Sequence, residues 1–478
     1  MSISEYDELD ATALSALVRT GELSATEVLE EAISRSARID DDLNFLAHEA
    51  FATGRKTAAD PKLPMGPLAG VPWLVKELAT SWEGQPFTNS LPYLKDMLGP
   101  ADAAIVTRLK KAGAVLFGKS TSPENGWCLA TESSLHGVTR NPWDPTRTPG
   151  GSSGGSAVAV ATRVTPISDA SDGGGSIRVP AANCGLVGLK PSRGRITLQP
   201  TAVDYWYGGA LIFGLSRTVR DTALLLDVLQ GGLPGEPYRL PDPQRSYVDE
   251  VTAEPKSLRV ALVTEAPDHS TPVNPEVKVA VEATAKLLES LGHHVEPQPV
   301  PYQYWPLFKR YTSLIAAQTA AFIEAIAVPI GRPATADDMA NLYWTMVSKG
   351  RDMSAIDHSN DIEAMRQQCC AMLTKMDAFD MWLMPTLPML PREHGYYDLS
   401  LDVDTYDDTR MGPDCSFTLP FNASGAPAIS LPLGWSKEGL PIGVQLVGRI
   451  GDEAGLINVA AQLERAKPWA AQRPPMCR

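Results

Sequence analysis

The sequence predicts an α/β fold. From about residue 68 onward, short apolar runs alternate with amphipathic helical patterns, and this alternation is typical of strands and helices that build one sheet. Near the C-terminus, two strand patterns are followed by a helix pattern, which predicts that the chain returns to the same sheet. With 478 residues, the chain is long enough for two or three domains, although a single large α/β domain fits equally well.

The N-terminal segment, residues 1–65, is predicted to form a helical layer. Ser24 and Glu27 form a capping-box pattern, S-A-T-E, which indicates where its second helix begins. Residues 66–200 are predicted to form the core of the fold. The alternating segments in this core are LAGVPWLV, AAIVTRLKKAG, AVLFG, SAVAVATRV and TPISDA.

The second half of the chain continues the alternation after an interruption. Residues 231–256 are rich in proline, glycine and charge, and are predicted to be a surface connection. Strand, helix and strand patterns follow in SLRVALVTE, residues 274–291 and HHVEPQPV. Residues 301–376 are predicted to be helical and to wall a substrate cleft. The last elements are the strands AISLPL and PIGVQLVG and a helix from Asp452 to Glu464.

The charge balance and the N-terminus exclude several classes of protein. Asp and Glu number 56 against 42 Lys and Arg, which argues against a nucleic acid as the main ligand. The first residues, MSISEYDELD, lack the basic and apolar regions of a signal peptide, and no apolar run approaches the roughly 18 residues of a membrane span. We therefore predict a cytoplasmic protein with no nucleic-acid partner and no membrane partner.

The cysteines and histidines show no metal-binding spacing. The six cysteines are scattered without a C-x-x-C pair, and the seven histidines include no H-E-x-x-H. His293 and His294 are adjacent, but they lie between a helix pattern and a strand pattern, where neighbouring side chains point in different directions. We therefore expect no metal, no cofactor and no disulfide framework.

Two Gly/Ser clusters within residues 147–176 flank an apolar segment, in RTPGGSSGGSAVAVATRVTPISDASDGGGS. A flexible linker would be polar throughout, so this segment is predicted to be buried. Glycine permits positive φ angles and lets successive N–H groups converge, as a developing oxyanion requires. The pattern therefore favours an oxyanion-binding turn over a linker.

Two other motifs match the residue patterns of known functional sites but lack the structural context that those sites require. Residues 150–154, GGSSG, satisfy G-x-S-x-G, but a proline-rich stretch precedes them where that motif needs an apolar strand. Residues 113–120, GAVLFGKS, satisfy the P-loop pattern, but their middle residues are those of a buried strand. Nucleotide binding stays an alternative that a change in thermal stability with ATP or GTP would reveal.

Several motifs together resemble the amidase signature family. They are GGSSGGS at 150–156, DGGGSIRVPA at 172–181, CGLVGLKPS at 184–192, GVPWLVKE at 70–77 and TRNPW at 139–143, with similar segments within 417–427 and 439–448. The resemblance thus spans nearly the whole chain. It implies the fold of that family, a mixed central β-sheet covered by helices on both faces, in one domain over residues 1–478.

The resemblance implies a Ser-Ser-Lys catalytic triad, with Ser176 as the nucleophile, Ser152 as a bridging serine on a cis peptide and Lys76 as the base. The chemistry agrees, because a serine needs a neighbour that takes its proton and no histidine lies within either Gly/Ser cluster. A lysine can do so only when it is neutral, and burial among apolar neighbours lowers its pKa. Without the resemblance, a salt bridge from Lys76 to Glu77 or another carboxylate would be the simpler interpretation.

The turn around the nucleophile has further expected roles. The backbone N–H groups predicted to form the oxyanion hole are those of Gly173, Gly174, Gly175 and Ser176. Asp172 and Arg178 bracket this turn, and we expect them to pair with each other as structural support. The family more often has threonine at the position of Gly173. This departure resembles the branch with hydrolases of nylon cyclic dimer and related oligo-amides or carbamates more than it resembles the tRNA amidotransferase A subunit.

The segment ENGWCLATE, residues 124–132, is similar to the family's loop beside the acyl site. Trp127, Cys128 and Thr131 are therefore candidate substrate contacts, although Trp127 fits a core position equally well. Cys415 lies in a segment that approaches the site in the family, but its thiol is more typical of packing than of chemistry.

The resemblance implies an amidohydrolase that cleaves a carbonyl–nitrogen bond of a small or oligomeric amide through a serine acyl-enzyme. The same triad also fits carbamate, aryl-amide or ester hydrolysis. A further alternative is the amidotransferase A subunit of a larger assembly. The sequence leaves open which small molecule is the substrate and whether the chain forms a homo-oligomer.

Overall fold

The computed structural model describes residues 5–477. Its strands, in chain order, are β1 (Leu46–Glu49), β2 (Pro72–Lys76), β3 (Val115–Ser120), β4 (Glu132–Ser133), β5 (Gly137–Val138), β6 (Ile167–Asp172), β7 (Val187–Lys190), β8 (Leu211–Ser216), β9 (Arg259–Leu262), β10 (His294–Pro297), β11 (Met381–Pro385), β12 (Ala428–Trp435) and β13 (Pro441–Val447). Its α-helices are α1 (Ala11–Thr20), α2 (Ala25–Leu43), α3 (Phe51–Ala58), α4 (Ala104–Ala112), α5 (Gly154–Ala161), α6 (Arg178–Cys184), α7 (Val219–Leu229), α8 (Tyr247–Val251), α9 (Pro275–Ser290), α10 (Tyr304–Ile330), α11 (Asn341–Asp352), α12 (Ala355–Met376), α13 (Val403–Tyr406), α14 (Gly412–Asp414), α15 (Leu419–Ser424) and α16 (Glu453–Ala466). Short 3₁₀ turns cover Pro92–Leu94, Glu124–Gly126, Ala336–Asp338 and Pro475–Cys477, and a π-helical turn covers Asp407–Met411.

The main sheet is mixed, as the resemblance implied. Its strand order is β10-β9-β11-β13-β12-β7-β8-β6. The pairs β10–β9 and β9–β11 are parallel, and the remaining pairs are antiparallel. The C-terminal strands β12 and β13 lie in the middle of this sheet, and β12 pairs with β7, so the predicted return of the chain to the sheet is confirmed.

Helices cover both faces of the main sheet, which confirms the predicted fold class. Successive side chains of β11 point to opposite faces of the sheet. Met381 and Leu383 pack in a core with residues of α7, α9 and α16, whereas Trp382 and Met384 pack in a second core with residues of α10, α11 and α12.

A second, three-stranded sheet has the order β1-β3-β2, so the predicted strands LAGVPWLV and AVLFG lie outside the main sheet. Its edge strand β2 lies beside β6, the edge strand of the main sheet. The backbone N–H of Lys76 donates to Asp169 Oδ2 at 3.1 Å across this seam. A side chain thus bridges the two sheets at the last residue of β2.

The described part of the predicted helical layer, residues 5–65, is helical in large part, but not throughout. In α2 the Ser24 hydroxyl accepts from the Glu27 N–H and the Glu27 carboxylate accepts from the Ser24 N–H, so the capping box is present. The segment Leu46–Glu49, which is too short to show a periodic pattern, forms β1 and pairs antiparallel with β3. The segment predicted as a helical layer thus also contributes a strand.

The predicted surface connection contains a short helix, and the predicted helical region contains one unusually apolar helix. Residues 231–256 include the short helix α8, whose Tyr247 is buried, so part of this connection packs on the fold. By length and composition, α10 is apolar enough to cross a membrane, which the sequence prediction had not anticipated. A single helix of this kind is weak evidence for a membrane, and the face of α10 from Leu307 to Ile323 packs in the core.

Candidate active site

Lys76 lies at the seam between the two sheets and is fully buried. Its Nζ is 2.7 Å from Ser152 Oγ, 2.9 Å from Ser153 Oγ and 2.8 Å from Ser171 Oγ. The three groups nearest to the lysine nitrogen are therefore hydroxyls, and the salt bridge to Glu77 that would have been the simpler interpretation is not formed. The Glu77 carboxylate instead lies 3.3 Å from Lys119 Nζ.

The hydrogen-bond inventory around Lys76 fits a neutral amine. The Ser153 hydroxyl donates to the carbonyl of Ser171 at 3.2 Å, so towards Lys76 it can only accept. A neutral amine has two N–H donors and one lone pair, and Ser153 and Ser171 can accept the two N–H bonds. The lone pair is then left to accept the hydroxyl proton of Ser152.

Burial is the main influence on the charge of Lys76. It lowers the pKa of the lysine to about 7, against the opposing effect of the nearby Asp169 and Asp172 carboxylates. Burial also raises the pKa of Asp169 to about 7, although bonds from Thr80 and Lys76 favour its ionised form. The Asp169 carboxylate accepts from the backbone N–H of Lys76, and the charges of the carboxyl and the amine influence each other, so the two groups titrate as a coupled pair.

Ser152 is placed by the first Gly/Ser cluster, directly before α5. The peptide bond between Gly151 and Ser152 is cis, as the resemblance implied. A Cβ atom at Gly151 would lie only 2.4 Å from the carbonyl oxygen of Cys128. Glycine at this position therefore allows the loop to pack against the Cys128 backbone, which brings Ser152 to Lys76.

Ser176 lies in the second Gly/Ser cluster, in the turn after β6. It is buried except for the 7% of its surface that faces a cavity, and Ser152 and Ser171 line the same cavity. Within residues 5–477, no hydrogen bond joins Ser176 Oγ to Ser152 Oγ. Catalytic hydrogen bonds are often long in ligand-free enzymes and tighten once substrate is bound.

Asp172 and Arg178 form the expected pair and hold this turn. Arg178 Nε is 2.9 Å from Asp172 Oδ2 and Arg178 Nη2 is 3.0 Å from Asp172 Oδ1, with both side chains fully buried. Burial alone would raise the pKa of Asp172, but the Arg178 guanidinium lowers it to about 2. Asn422 bridges the two, because its amide donates to Asp172 Oδ1 while its carbonyl accepts from Arg178.

One of the predicted oxyanion donors needs a correction. The N–H of Gly175 donates to Asp172 Oδ1 at 2.7 Å and is therefore committed to holding the turn. The carbonyls of Gly173 and Gly174 accept hydrogen bonds from Tyr311 and Thr418, which fixes the orientation of both peptides. This leaves the N–H groups of Gly173, Gly174 and Ser176 as the candidate donors to an oxyanion.

The cavity in front of Ser176 is lined mainly by apolar and aromatic side chains. The larger ones are Leu78, Phe87, Leu198, Tyr205, Trp206, Leu211, Ile212 and Phe322. Asp172 is the one acidic or basic side chain among the lining residues that the structure describes, and Arg178 neutralises it. The cavity therefore suits an uncharged molecule better than a zwitterion.

The three predicted substrate contacts lie behind the cavity wall rather than in it. The indole N–H of Trp127 donates to Asp407 at 3.3 Å, and its ring packs edge-on against Trp206 at 5.6 Å. Thr131 donates to the Gly150 carbonyl and accepts from the Gly154 N–H, so it supports the first Gly/Ser cluster. Cys128 is buried, and from this segment Asn125 and Gly126 reach the cavity instead.

Several site residues were missed from the sequence. Ser171 lies two residues after Asp169 on β6, and the alternation of a strand, which places both side chains on the Lys76 side, could have found it. Asn125 Oδ1 is buried in the cavity region without a hydrogen-bond partner. Trp206 adopts a left-handed backbone conformation with φ 52° and covers Gly173, a contact between distant segments that leaves no local signal.

A family model described as Amidase matches residues 27–457 of the chain. The chain belongs to the amidase family. Similar in sequence is the 6-aminohexanoate-cyclic-dimer hydrolase of Paenarthrobacter ureafaciens, which is 39% identical over 97% of this chain and 96% of the relative. These findings confirm the resemblance, and they make the chain a hydrolase of amide bonds.

Solved structures of amidases share the whole fold. A 6-aminohexanoate cyclic dimer hydrolase in complex with substrate has a TM-score of 0.93 at 37% identity and covers 99% of this chain and 100% of its own. A bacterial aryl acylamidase of the amidase signature family has a TM-score of 0.88 at 28% identity, with 98% of each chain covered. The mixed sheet with helices on both faces is thus the amidase signature fold.

Proposed function

We propose that this amidase cleaves the carbonyl–nitrogen bond of a small, uncharged amide through a serine acyl-enzyme, with Ser176, Ser152 and Lys76 as its catalytic triad. The observation that supports it best is the environment of Lys76, a buried lysine whose nitrogen contacts hydroxyls only and whose pKa is lowered to about 7 by burial. A lysine in that state can act as a base near neutral pH.

The reaction begins with proton transfer towards Lys76. Its lone pair takes the Ser152 proton while Ser152 takes the proton of Ser176, and Ser176 Oγ attacks the amide carbon. The N–H groups of Gly173, Gly174 and Ser176 stabilise the oxyanion of the tetrahedral intermediate. The proton on Lys76 then returns through Ser152 to the leaving nitrogen, so that the amine departs and the acyl-enzyme remains. Water hydrolyses this ester by the same relay.

The cavity supports a substrate class as well as a reaction. A cyclic amide has no terminal amine or carboxylate, and the lining offers no free charge to pair with either group. Asn125 Oδ1 is a suitable acceptor for the amide N–H of such a substrate. We therefore propose cyclic or linear amides without charged groups near the scissile bond, with the cyclic dimer of 6-aminohexanoate, on which the named relatives act, as the first substrate to test.

A second candidate is an aryl amide. Phe87, Tyr205, Trp206 and Phe322 border the cavity, and aromatic walls of this kind stack on an aryl ring. Rates for purified protein on the cyclic dimer, the linear dimer, an anilide, an aryl carbamate and an ester separate these candidates. An amidotransferase subunit would hydrolyse none of them without its partner, and that outcome would overturn the proposal.

The pH dependence should follow the protonation of Lys76. A protonated lysine cannot accept the Ser152 proton, so kcat/KM should rise with pH through a midpoint near 7 and fall about tenfold for each pH unit below it. Rates on an uncharged amide between pH 5 and pH 10 measure this midpoint, which belongs to the Lys76–Asp169 pair.

Asp169→Asn tests the assignment of that midpoint to Lys76. The asparagine keeps an oxygen that can accept from the backbone N–H of Lys76, but it removes a negative charge that favours the protonated lysine side chain. The midpoint should therefore move to lower pH. A midpoint that stays in place, or moves upward, would show that another group controls the rate.

Gly173 and Trp206 are expected to set the shape of the cavity together. A Cβ atom at Gly173 would lie 2.2 Å from the Trp206 ring, so Gly173→Ala must displace the indole. We expect kcat/KM for the best amide to fall on the order of 100-fold, since small misplacements of a wall disturb the reactive geometry. Trp206→Ala in the same chain should restore part of the loss by removing the clash.

Gly174→Ala is the matched change in the same turn, where a Cβ atom would have its nearest neighbours at 3.6 Å and 3.9 Å. It should lose less activity than Gly173→Ala. Equal losses for the two variants, with no gain from adding Trp206→Ala, would show that the Trp206 contact does not shape the site.

A further inference from the structure

A second group of chemically active side chains lies on the far side of the strand that ends with Lys76. His48 from β1, Glu77 immediately after β2, and His136 between β4 and β5 each present one ligand atom, and these atoms lie within 4.8 Å of one another. Side chains alternate along a strand, so Glu77 points away from the hydroxyls that surround Lys76. The cluster is therefore separate from the proposed triad.

Each side chain in this cluster has a polar atom that forms no hydrogen bond within residues 5–477, namely His48 Nε2, Glu77 Oε2 and His136 Nε2. Two of these atoms have a charged neighbour, because Glu77 Oε2 lies 3.3 Å from Lys119 Nζ and His48 Nε2 lies 3.5 Å from Glu77 Oε1. The Glu77 side chain is fully buried. Buried polar atoms in folded proteins nearly always form hydrogen bonds, so three such side chains, whose ligand atoms lie within 4.8 Å of one another, fit a shared ligand.

The donor set is that of a transition-metal site. Two imidazole nitrogens and one carboxylate oxygen match the ligands that bind Zn²⁺ and similar first-row divalent cations.

Lys119 limits the affinity of this cluster without blocking it. Its Nζ lies 3.3 Å from Glu77 Oε2, but it also donates to the Pro86 carbonyl at 2.7 Å. That hydrogen bond can hold the ammonium when Glu77 binds a cation instead. The second carboxylate oxygen, Glu77 Oε1, accepts from the Thr88 N–H and hydroxyl, which hold the carboxylate in place. The positive charge of Lys119 repels a bound cation, so binding requires the ammonium to move away from Glu77.

We propose that His48, Glu77 and His136 bind one divalent cation of the zinc type, which fastens β1 and the β4–β5 turn to the end of the strand that carries Lys76. None of the three residues lines the cavity in front of Ser176, so the cation would be structural and the relay would not pass through it. Spacing in the sequence could not reveal this site, because its ligands come from three distant segments.

The test uses the full-length protein after treatment with EDTA, titrated with ZnCl2 or CoCl2. We expect one cation per chain by calorimetry, a rise in Tm of about 2–5 °C at a hundredfold excess over Kd, and the intense visible absorption of four-coordinate Co²⁺. His136→Asn and His48→Gln should each weaken binding by about tenfold or more. The exposed His294, on β10, is the matched control, and His294→Gln should bind as the wild type does.

Circular dichroism establishes whether each variant is folded, and the cobalt spectrum of the wild-type protein needs no variant. A spectrum of six-coordinate Co²⁺ only, or binding that His136→Asn and His48→Gln leave unchanged while His294→Gln weakens it, would overturn the proposal. Absence of any Tm shift at millimolar zinc would do the same.

Discussion

Ser176→Ala is expected to abolish the hydrolysis of amides and of activated esters alike, by about 10⁵- to 10⁶-fold in kcat. The change removes the atom that accepts the acyl group, so the identity of the leaving group cannot compensate. A fluorophosphonate probe should label the wild-type protein once, at Ser176, the more exposed of the two triad serines that line the cavity. Mass spectrometry of the labelled peptide and rates on a matched anilide and p-nitrophenyl ester measure both effects.

Ser156→Ala is the control for this experiment, because Ser156 belongs to the same Gly/Ser region but its hydroxyl is buried against Ser120 at 2.7 Å. That variant should keep its activity and its labelling. A label found on Ser153 or Ser156, with Ser176→Ala still active, would move the nucleophile to another residue and refute the triad.

The fold class could be predicted because it depends on patterns that are local in sequence. Each strand and helix of the core carries its own apolar period, and the mixed sheet was implied by the resemblance of contiguous motifs to those of the amidase signature family. The division into two sheets could not be predicted. At the seam between the sheets, the Asp169 side chain of β6 accepts from the backbone of β2, and such a contact between distant segments leaves no local signal.

The proposed triad came from the same resemblance, since Ser152 and Ser176 each lie in a glycine-rich turn that matches the family's motifs. The walls of the cavity did not. Trp127 was a candidate for the cavity and for the core alike, and it lies one layer behind the cavity, where Trp206 from a distant loop forms the wall and packs against Gly173. Such contacts depend on tertiary packing, for which a single sequence contains no periodic signal.

Lys76→Ala should lower amide hydrolysis far more than ester hydrolysis. An amine leaves the tetrahedral intermediate only after it gains a proton, whereas p-nitrophenolate leaves as the anion. Lys76 therefore serves an amide twice, once in attack and once in departure, but serves an activated ester only in attack. Each positioned proton transfer contributes on the order of 10²- to 10⁴-fold, so the amide should lose at least about 100-fold more in kcat/KM than the ester.

Two variants make this result specific to the relay. Ser152→Ala should reproduce the amide-to-ester ratio of Lys76→Ala, because the proposed relay carries the Lys76 proton through Ser152, whose Oγ lies 2.7 Å from Lys76 Nζ. Lys119→Ala removes a lysine that is equally buried on the neighbouring strand but contacts Glu77 and backbone carbonyls rather than serines. It should lower both reactions by one common factor through its effect on the fold. If Lys76→Ala behaved as Lys119→Ala does, with the same loss for the anilide and the ester, Lys76 would be a structural lysine and another group would have to move the proton.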